Sequence, residues 1–235
     1  KSFNSRITSL LAQIKSSRDQ SKKTELGKRL NQLYIDRSSI AKHASNKNDE
    51  LINLLNSDKQ FKEDYSIIFA ETINQLNELI YLINNIGIYP MPYHSQLENL
   101  EERRNLFFNQ GGILVNLGMF NQGIDVPELK NAILISSDTS ELTTIQRRGR
   151  VLRKDLDGII DNKPIANIYD FITLPDDSYF DDNLKAYDFR NLIKTEHKRL
   201  KLLSMDANNK YSYYNDYNIF GDYQNLINDK EQNYE

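Results

Sequence analysis

Hydrophobic positions along the chain change their period near residue 58. Before that point, apolar residues recur at intervals of three and four, which places them on one face of a helix. The recurring positions are Leu26, Leu30, Leu33 and Ile40, then Leu51, Leu54 and Leu55. With one glycine and no proline, residues 1–57 are predicted to form two or three helices that pack against another part of the protein.

After Asp58, short apolar runs of β-forming residues alternate with amphipathic segments, which is typical of a parallel sheet with crossover helices. Thr72 is placed to cap the first of these helices. The predicted strands are 65–70, 88–93, 113–116, 132–136 and 165–171, and the predicted helices between them are 72–85, 98–108 and 142–148. We therefore expect an α/β fold with helices flanking a parallel sheet.

The chain beyond Pro175 differs in composition from the part before it. It is acidic and rich in tyrosine, with a helix predicted over 184–205 followed by a Tyr-, Asn- and Asp-rich run. The expected organisation is a helical accessory segment over 1–57, an α/β domain over 58–175, and a mostly helical extension over 176–235.

Charge and composition narrow the function classes. The 235 residues include no cysteine, which excludes disulfides and zinc–thiolate sites and fits a cytoplasmic protein, and no apolar stretch is long enough to span a membrane. Net charge is only −3, but residues 1–48 hold eleven Lys or Arg against three acids. That asymmetry has two interpretations, solvated helix faces or a footprint for phosphates. The start on Lys1 favours a piece of a longer protein.

The densest cluster of arginines lies in residues 146–153, with Gly149 in the middle. Arg150 and Arg153 are three residues apart, so on a helix both guanidinium groups face one side and can reach one anion. Gln146, Gly149, Arg150 and Arg153 resemble motif VI, Q-x-x-G-R-x-x-R, of superfamily 2 helicases. The resemblance implies that both arginines are catalytic fingers on the γ-phosphate of ATP, with Gln146 and Gly149 beside the nucleotide. Arg147 and Arg148 either touch the ligand as well, or face solvent or pair with Asp138 or Glu141.

Three upstream segments resemble further motifs of the same superfamily, in the same order. Residues 112–129 look like motif V, with Gly123 and Asp125 beside the nucleotide; residues 66–72 resemble motif IV, and residues 93–103 the motif after it. The nucleic-acid contacts that the resemblance implies are Thr72, His94, Ser95, Arg103, Asn116 and Gly118. Asn116 replaces a common Thr, so its phosphate contact would rest on backbone amides. Gln146 replaces the His of DEAD-box RNA helicases, and this replacement favours the DNA repair and restriction branch.

The sequence contains no G-x-x-x-x-G-K-[ST] loop and no D-E-x-[HD] pair. The resemblance therefore implies the second RecA-like lobe of an ATP-dependent helicase or translocase acting on nucleic acid, preferably DNA. ATP and Mg²⁺ would be bound mainly by an upstream RecA-like lobe of the same protein, and this chain alone would be inactive. Two alternatives are a catalytically silent helicase-like module that binds nucleic acid or protein, and an unrelated α/β nucleotide-binding domain.

Overall fold

A computed structural model describes residues 3–44, 46–57, 61, 63–117, 129–136, 166–175, 183–204 (backbone alone for 183–188), 207, 220 and 221. The chain begins with three helices, α1 (Phe3–Ser16), α2 (Gln20–Lys42) and α3 (Asn46–Ser57). Helices α1 and α2 form an antiparallel hairpin, because Arg37 near the end of α2 donates to Asn4 at the start of α1 (3.0 Å). The prediction of two or three helices is confirmed.

Five parallel strands form the sheet, in the order β2-β3-β1-β4-β5. Their bounds are β1 (Tyr65–Ala70), β2 (Met91–Tyr93), β3 (Gly112–Leu117), β4 (Asn131–Leu134) and β5 (Asn167–Asp170). Each predicted strand is present, although β2 is three residues long where 88–93 was predicted. The expected α/β parallel sheet is confirmed.

Helices cover both faces of this sheet. Helix α4 (Ile73–Asn85) packs Leu76, Leu79 and Ile83 on one face, and α3 adds Leu51 and Leu55 to the same core. The opposite face is covered by α5 (Leu100–Gln110) and α6 (Asn183–Ser204), through Phe107 and Leu203. Because successive strand residues point to opposite faces, Ile68 enters the first core, and Ile67 and Phe69 enter the second.

The predicted stripe on residues 26–40 is only partly buried. Leu26 and Leu33 are buried against α1, but Ile40 is 60% exposed. The prediction for Ile40 was wrong because α2 lies against the short α1 and not along the sheet. Among the residues that the structure describes, no helix is both long and apolar enough to cross a membrane.

Candidate nucleic-acid interface

Asn116 lies at the carboxyl end of β3, between the ends of β2 and β1. It is in register with Phe69 of β1 and Tyr93 of β2, one on each side, and its side chain is buried. Neighbouring strands are about 4.8 Å apart, so the segments that follow these three strands begin close together. Ligands of open α/β sheets bind at such carboxyl edges. The structure thus brings the residues after β1, β2 and β3 to one edge.

Thr72, three residues beyond Phe69, is the N-cap of α4. Its hydroxyl oxygen accepts a hydrogen bond from the backbone N–H of Gln75 (3.1 Å), as predicted for a capping residue. The hydroxyl proton is not used by this bond, so Thr72 can still donate to a phosphate oxygen. The side chain is exposed at the edge of the sheet.

His94 and Ser95 directly follow β2. His94 is only 8% exposed, and its Nδ1 has no hydrogen-bond partner among the described residues. Ser95 is exposed. Arg103 is half-buried on α5, where its backbone N–H donates to the carbonyl of Asn99 (3.0 Å). Four strand-end residues, Thr72, His94, Ser95 and Asn116, therefore share this edge, whereas Arg103 lies on the neighbouring helix.

Sequence reasoning missed the polar contacts that hold this edge together. Gln75 is buried on the inward face of α4, and its Oε1 accepts from the backbone N–H of Glu71 (2.9 Å). Its Nε2 lies 2.8 Å from the hydroxyl of Ser136, which follows β4. The sequence signal for these contacts was the position of Gln75, a polar residue directly beside the apolar stripe that contains Leu76 and Leu79. These bonds position Glu71 and Thr72.

The junction between α2 and α3 covers the carboxyl ends of β4 and β5. The Ser136 hydroxyl also lies 3.1 Å from the carbonyl of Lys42, and Thr173 donates to the carbonyl of Ala41 (2.9 Å). Lys47, at the start of α3, donates to the carbonyl of Ile135 (3.2 Å) and is 6% exposed. Among the described residues, these contacts are made with the ends of β4 and β5, and none of them is with β2 or β3.

A buried ionic cluster extends this covered side to α6. Arg199 donates to both carboxylate oxygens of Glu196 (2.6 and 2.7 Å) and to Asp170 at the end of β5 (3.0 Å). Burial lowers the pKa of Arg199, but these two carboxylates outweigh it and raise the pKa overall. Burial also lowers the pKa of Lys47 to about 8, only partly opposed by Glu196, Asp170 and Glu71.

Seven of the predicted site residues lie outside the described residues. They are the motif V residues Gly118, Gly123 and Asp125, and the motif VI residues Gln146, Gly149, Arg150 and Arg153. Their roles stay predictions. Within the described part of the chain, no group of three or more His, Asp or Glu is arranged to hold a metal ion, and we assign no Mg²⁺ ligand there.

Residues 46–155 match the family described as "Helicase conserved C-terminal domain". This part of the chain is a helicase C-terminal domain. The match begins at α3 and continues through the carboxyl edge described above into the arginine-rich segment. The helicase C-terminal domain thus includes all of the predicted site residues.

Two curated relatives resemble this helicase C-terminal domain. One, from Methanocaldococcus jannaschii, carries the name of an ATP-dependent RNA helicase and is 29% identical over 102 residues, 39% of this chain and 13% of the relative. DEAD-box ATP-dependent RNA helicase 22 of Oryza sativa is 27% identical over 106 residues, 44% of this chain and 18% of the relative. The chain thus matches less than a fifth of the length of either relative.

Among solved structures, that of T4 UvsW has a similar fold. It aligns with a TM-score of 0.50 and 20% identity, over 72% of this chain and 34% of that chain. At this level of identity the similarity concerns the fold alone. It agrees with a RecA-like sheet with flanking helices.

Proposed function

We propose that this chain is the second motor lobe of an ATP-dependent nucleic-acid helicase or translocase. The observation that carries the proposal is the convergence of Thr72, His94 and Asn116 at the carboxyl edge of neighbouring strands, within a helicase C-terminal domain. The exposed Thr72 hydroxyl is a hydrogen-bonding group that a phosphate can use. Nδ1 of His94 is buried and has no partner among the described residues, so its hydrogen-bonding capacity is still available at this edge. With Ser95, Arg103 and Gly118, whose roles stay predictions, these residues would form the surface that contacts nucleic acid, here called the track.

In this proposal the nucleotide lies between this lobe and an upstream RecA-like lobe of the parent protein. Bound ATP with Mg²⁺ would supply the free energy of hydrolysis. Arg150 and Arg153 stabilise negative charge on the transferred phosphoryl group, with Gln146, Gly149, Gly123 and Asp125 beside them. Closure and opening of the two lobes then move the track residues along the strand.

The chemistry of the track is shared by DNA and RNA, because both present phosphates and bases. The names of the two curated relatives favour RNA, whereas Gln146 in place of His favours DNA. We therefore propose nucleic acid as the partner. The nucleic acid that stimulates ATP hydrolysis most strongly will show whether it is DNA or RNA.

The test is ATP hydrolysis by the full-length parent and by this 235-residue chain, each without nucleic acid and with single-stranded DNA, duplex DNA or RNA. Turnover stimulated by nucleic acid in the parent, and no turnover by this chain, is the expected result. A parent that binds nucleic acid but never hydrolyses ATP would overturn the motor assignment in favour of a silent binding module.

A further inference from the structure

The turn between α1 and α2 carries a cluster of basic residues, here called the hairpin tip: Lys15, Arg18, Lys22 and Lys23. Lys15 lies in the last turn of α1, Arg18 lies between the helices, and the two remaining lysines begin α2. Lys15, Arg18 and Lys22 are exposed and Lys23 is half-buried. Four cations therefore lie within nine residues of sequence.

No side chain of the hairpin tip forms an ion pair with an acid in the described part of the chain. The nearby acid, Asp19, is used otherwise, because its carboxylate caps α2 by accepting the backbone N–H groups of Ser21 (2.8 Å) and Lys22 (3.4 Å). By contrast, Arg29 further along α2 is paired with Glu25 (2.7 Å). The cations of the hairpin tip are therefore available to bind an anionic ligand.

Helix stability does not explain the two lysines at the start of α2. The amino end of a helix carries a partial positive charge, and a cation in the first turn typically costs about 0.3–1 kcal/mol. The N-cap Asp19 supplies one carboxylate at this end, and the first turn of α2 itself contains no acidic residue. A position that costs stability is more consistent with a binding role than with a solvated helix face.

The tip also lies far from the sheet. Helix α2 meets the sheet edge at its other end, where Lys42 pairs with Glu71 (2.6 Å) and its carbonyl contacts Ser136. Lys42 is twenty positions after Lys22, which corresponds to about 30 Å along the helix at 1.5 Å per residue. Ile35 and Ile40 are more than half exposed, so α2 does not lie flat on the sheet. The α1–α2 hairpin therefore extends away from the sheet, and its basic residues lie at the far end.

We propose that the hairpin tip binds the phosphodiester backbone of duplex nucleic acid that flanks the track. The inference rests on the proposed function for the position of the track. A reach of about 30 Å corresponds to about nine base pairs at 3.4 Å each. Such contacts are with phosphate alone, so the tip would hold any sequence, and both DNA and RNA duplexes offer the required charge.

The experiment is equilibrium binding of a fluorescent duplex of about 30 base pairs, as DNA and as RNA, by this chain between about 50 and 200 mM salt. The test variant is Lys15→Gln, Arg18→Gln and Lys22→Gln together. A variant with Lys194→Gln, Lys198→Gln and Lys201→Gln on α6 loses the same charge elsewhere and serves as the matched control. Thermal melting establishes that both variants fold.

We expect the tip variant to bind at least about tenfold more weakly at the lowest salt. Its plot of log affinity against log salt should be less steep by about 0.9 for each lost phosphate contact. The α6 variant should stay within about twofold of the parent chain. Equal slopes for the tip variant and the unaltered chain, or an equal loss in both variants, would overturn the proposal.

Two further results separate this proposal from neighbouring ones. If the tip variant loses binding to anionic vesicles or polyglutamate as strongly as to duplex, the tip is a general anion surface and the nucleic-acid assignment fails. If binding depends on the tip while the full-length parent shows no stimulated ATP hydrolysis, the motor assignment fails and the tip assignment stands. If hydrolysis is stimulated while the salt slope of the tip variant is unchanged, the motor assignment stands and the tip assignment fails.

Discussion

The side-chain amide of Gln75 and the hydroxyl of Ser136 are hydrogen-bonded at 2.8 Å although they are 61 residues apart in sequence. Through this bond the first turn of α4 is tied to the end of β4. The same amide accepts from the backbone N–H of Glu71, so the segment that leads to Thr72 has little freedom. A buried polar network with its groups satisfied rigidifies the backbone around it.

Replacing Gln75 with Leu should weaken both the fold and the track. The Glu71 N–H and the Ser136 hydroxyl would each lose a partner, which typically lowers the free energy of unfolding by about 1–3 kcal/mol. Urea denaturation and nucleic-acid binding measure the two effects. Ser136→Ala keeps the Glu71 contact, and we expect a smaller loss of stability with unchanged affinity. Equal affinity for both variants would mean that Gln75 does not position the track.

Substitutions of Thr72 separate its capping role from its proposed phosphate contact. Thr72→Asp keeps a good N-cap and should leave the free energy of unfolding within about 0.5 kcal/mol, but its carboxylate should repel phosphate and lower nucleic-acid affinity. Thr72→Ala should cost about 1 kcal/mol of stability, because the Gln75 N–H loses its acceptor. If Thr72→Asp binds as tightly as the unaltered chain, no phosphate lies beside this residue.

Arg153→Ala in the full-length parent should reduce ATP turnover by about a thousandfold or more, because an arginine finger acts on charge that develops during phosphoryl transfer. Affinity for nucleic acid, measured without nucleotide, should change by less than about twofold. Lys154→Ala removes the same charge from the adjacent position and is the matched control. Turnover at the unaltered rate in Arg153→Ala would refute the finger assignment.

The buried ammonium of Lys47 should make stability depend on pH in a defined window. Its pKa in the folded protein is about 8, against an ordinary value of 10.5. Below about pH 8 both states are protonated, and the cost of burying the charge is fully present. Between about 8 and 10.5 only the unfolded state keeps the proton, so the free energy of unfolding should rise, by on the order of 3 kcal/mol.

The measurement for Lys47 is the difference in unfolding free energy between the unaltered chain and Lys47→Arg across about pH 7–11. A guanidinium does not titrate in this range, so the variant lacks this rise while all other groups cancel in the difference. A difference that does not change with pH would show that Lys47 keeps an ordinary pKa when buried.

Local signals accounted for most of the fold. The alternation of apolar runs and amphipathic segments predicted all five strands, and Thr72 before the stripe of Leu76, Leu79 and Ile83 predicted the start of α4. Strand β2 was predicted too long, because Ile88 is buried before the strand begins at Met91. Burial alone does not make a strand, since pairing with β3 begins only at Met91.

For the candidate site as well, the sequence predicted the individual residues but not their arrangement in space. Motif spacing named Thr72, His94 and Asn116, and chain order placed each of them at or after the end of a strand. Their convergence depended on the strand order β2-β3-β1, which a linear sequence does not state. Gln75, Ser136 and Lys47 could not be paired in advance, because their partners are 61 or more residues away in sequence.

The sequence by itself determined which segments are helices and strands, where the motifs lie and where basic charge accumulates, because these follow from local periodicity, capping and composition. Only the tertiary structure decided that the α2–α3 junction covers the ends of β4 and β5, that β2, β3 and β1 lie side by side, and that α2 meets the sheet edge at the end about 30 Å along the helix from the hairpin tip. Those features arise from contacts between residues distant in the chain, and local preferences do not encode them.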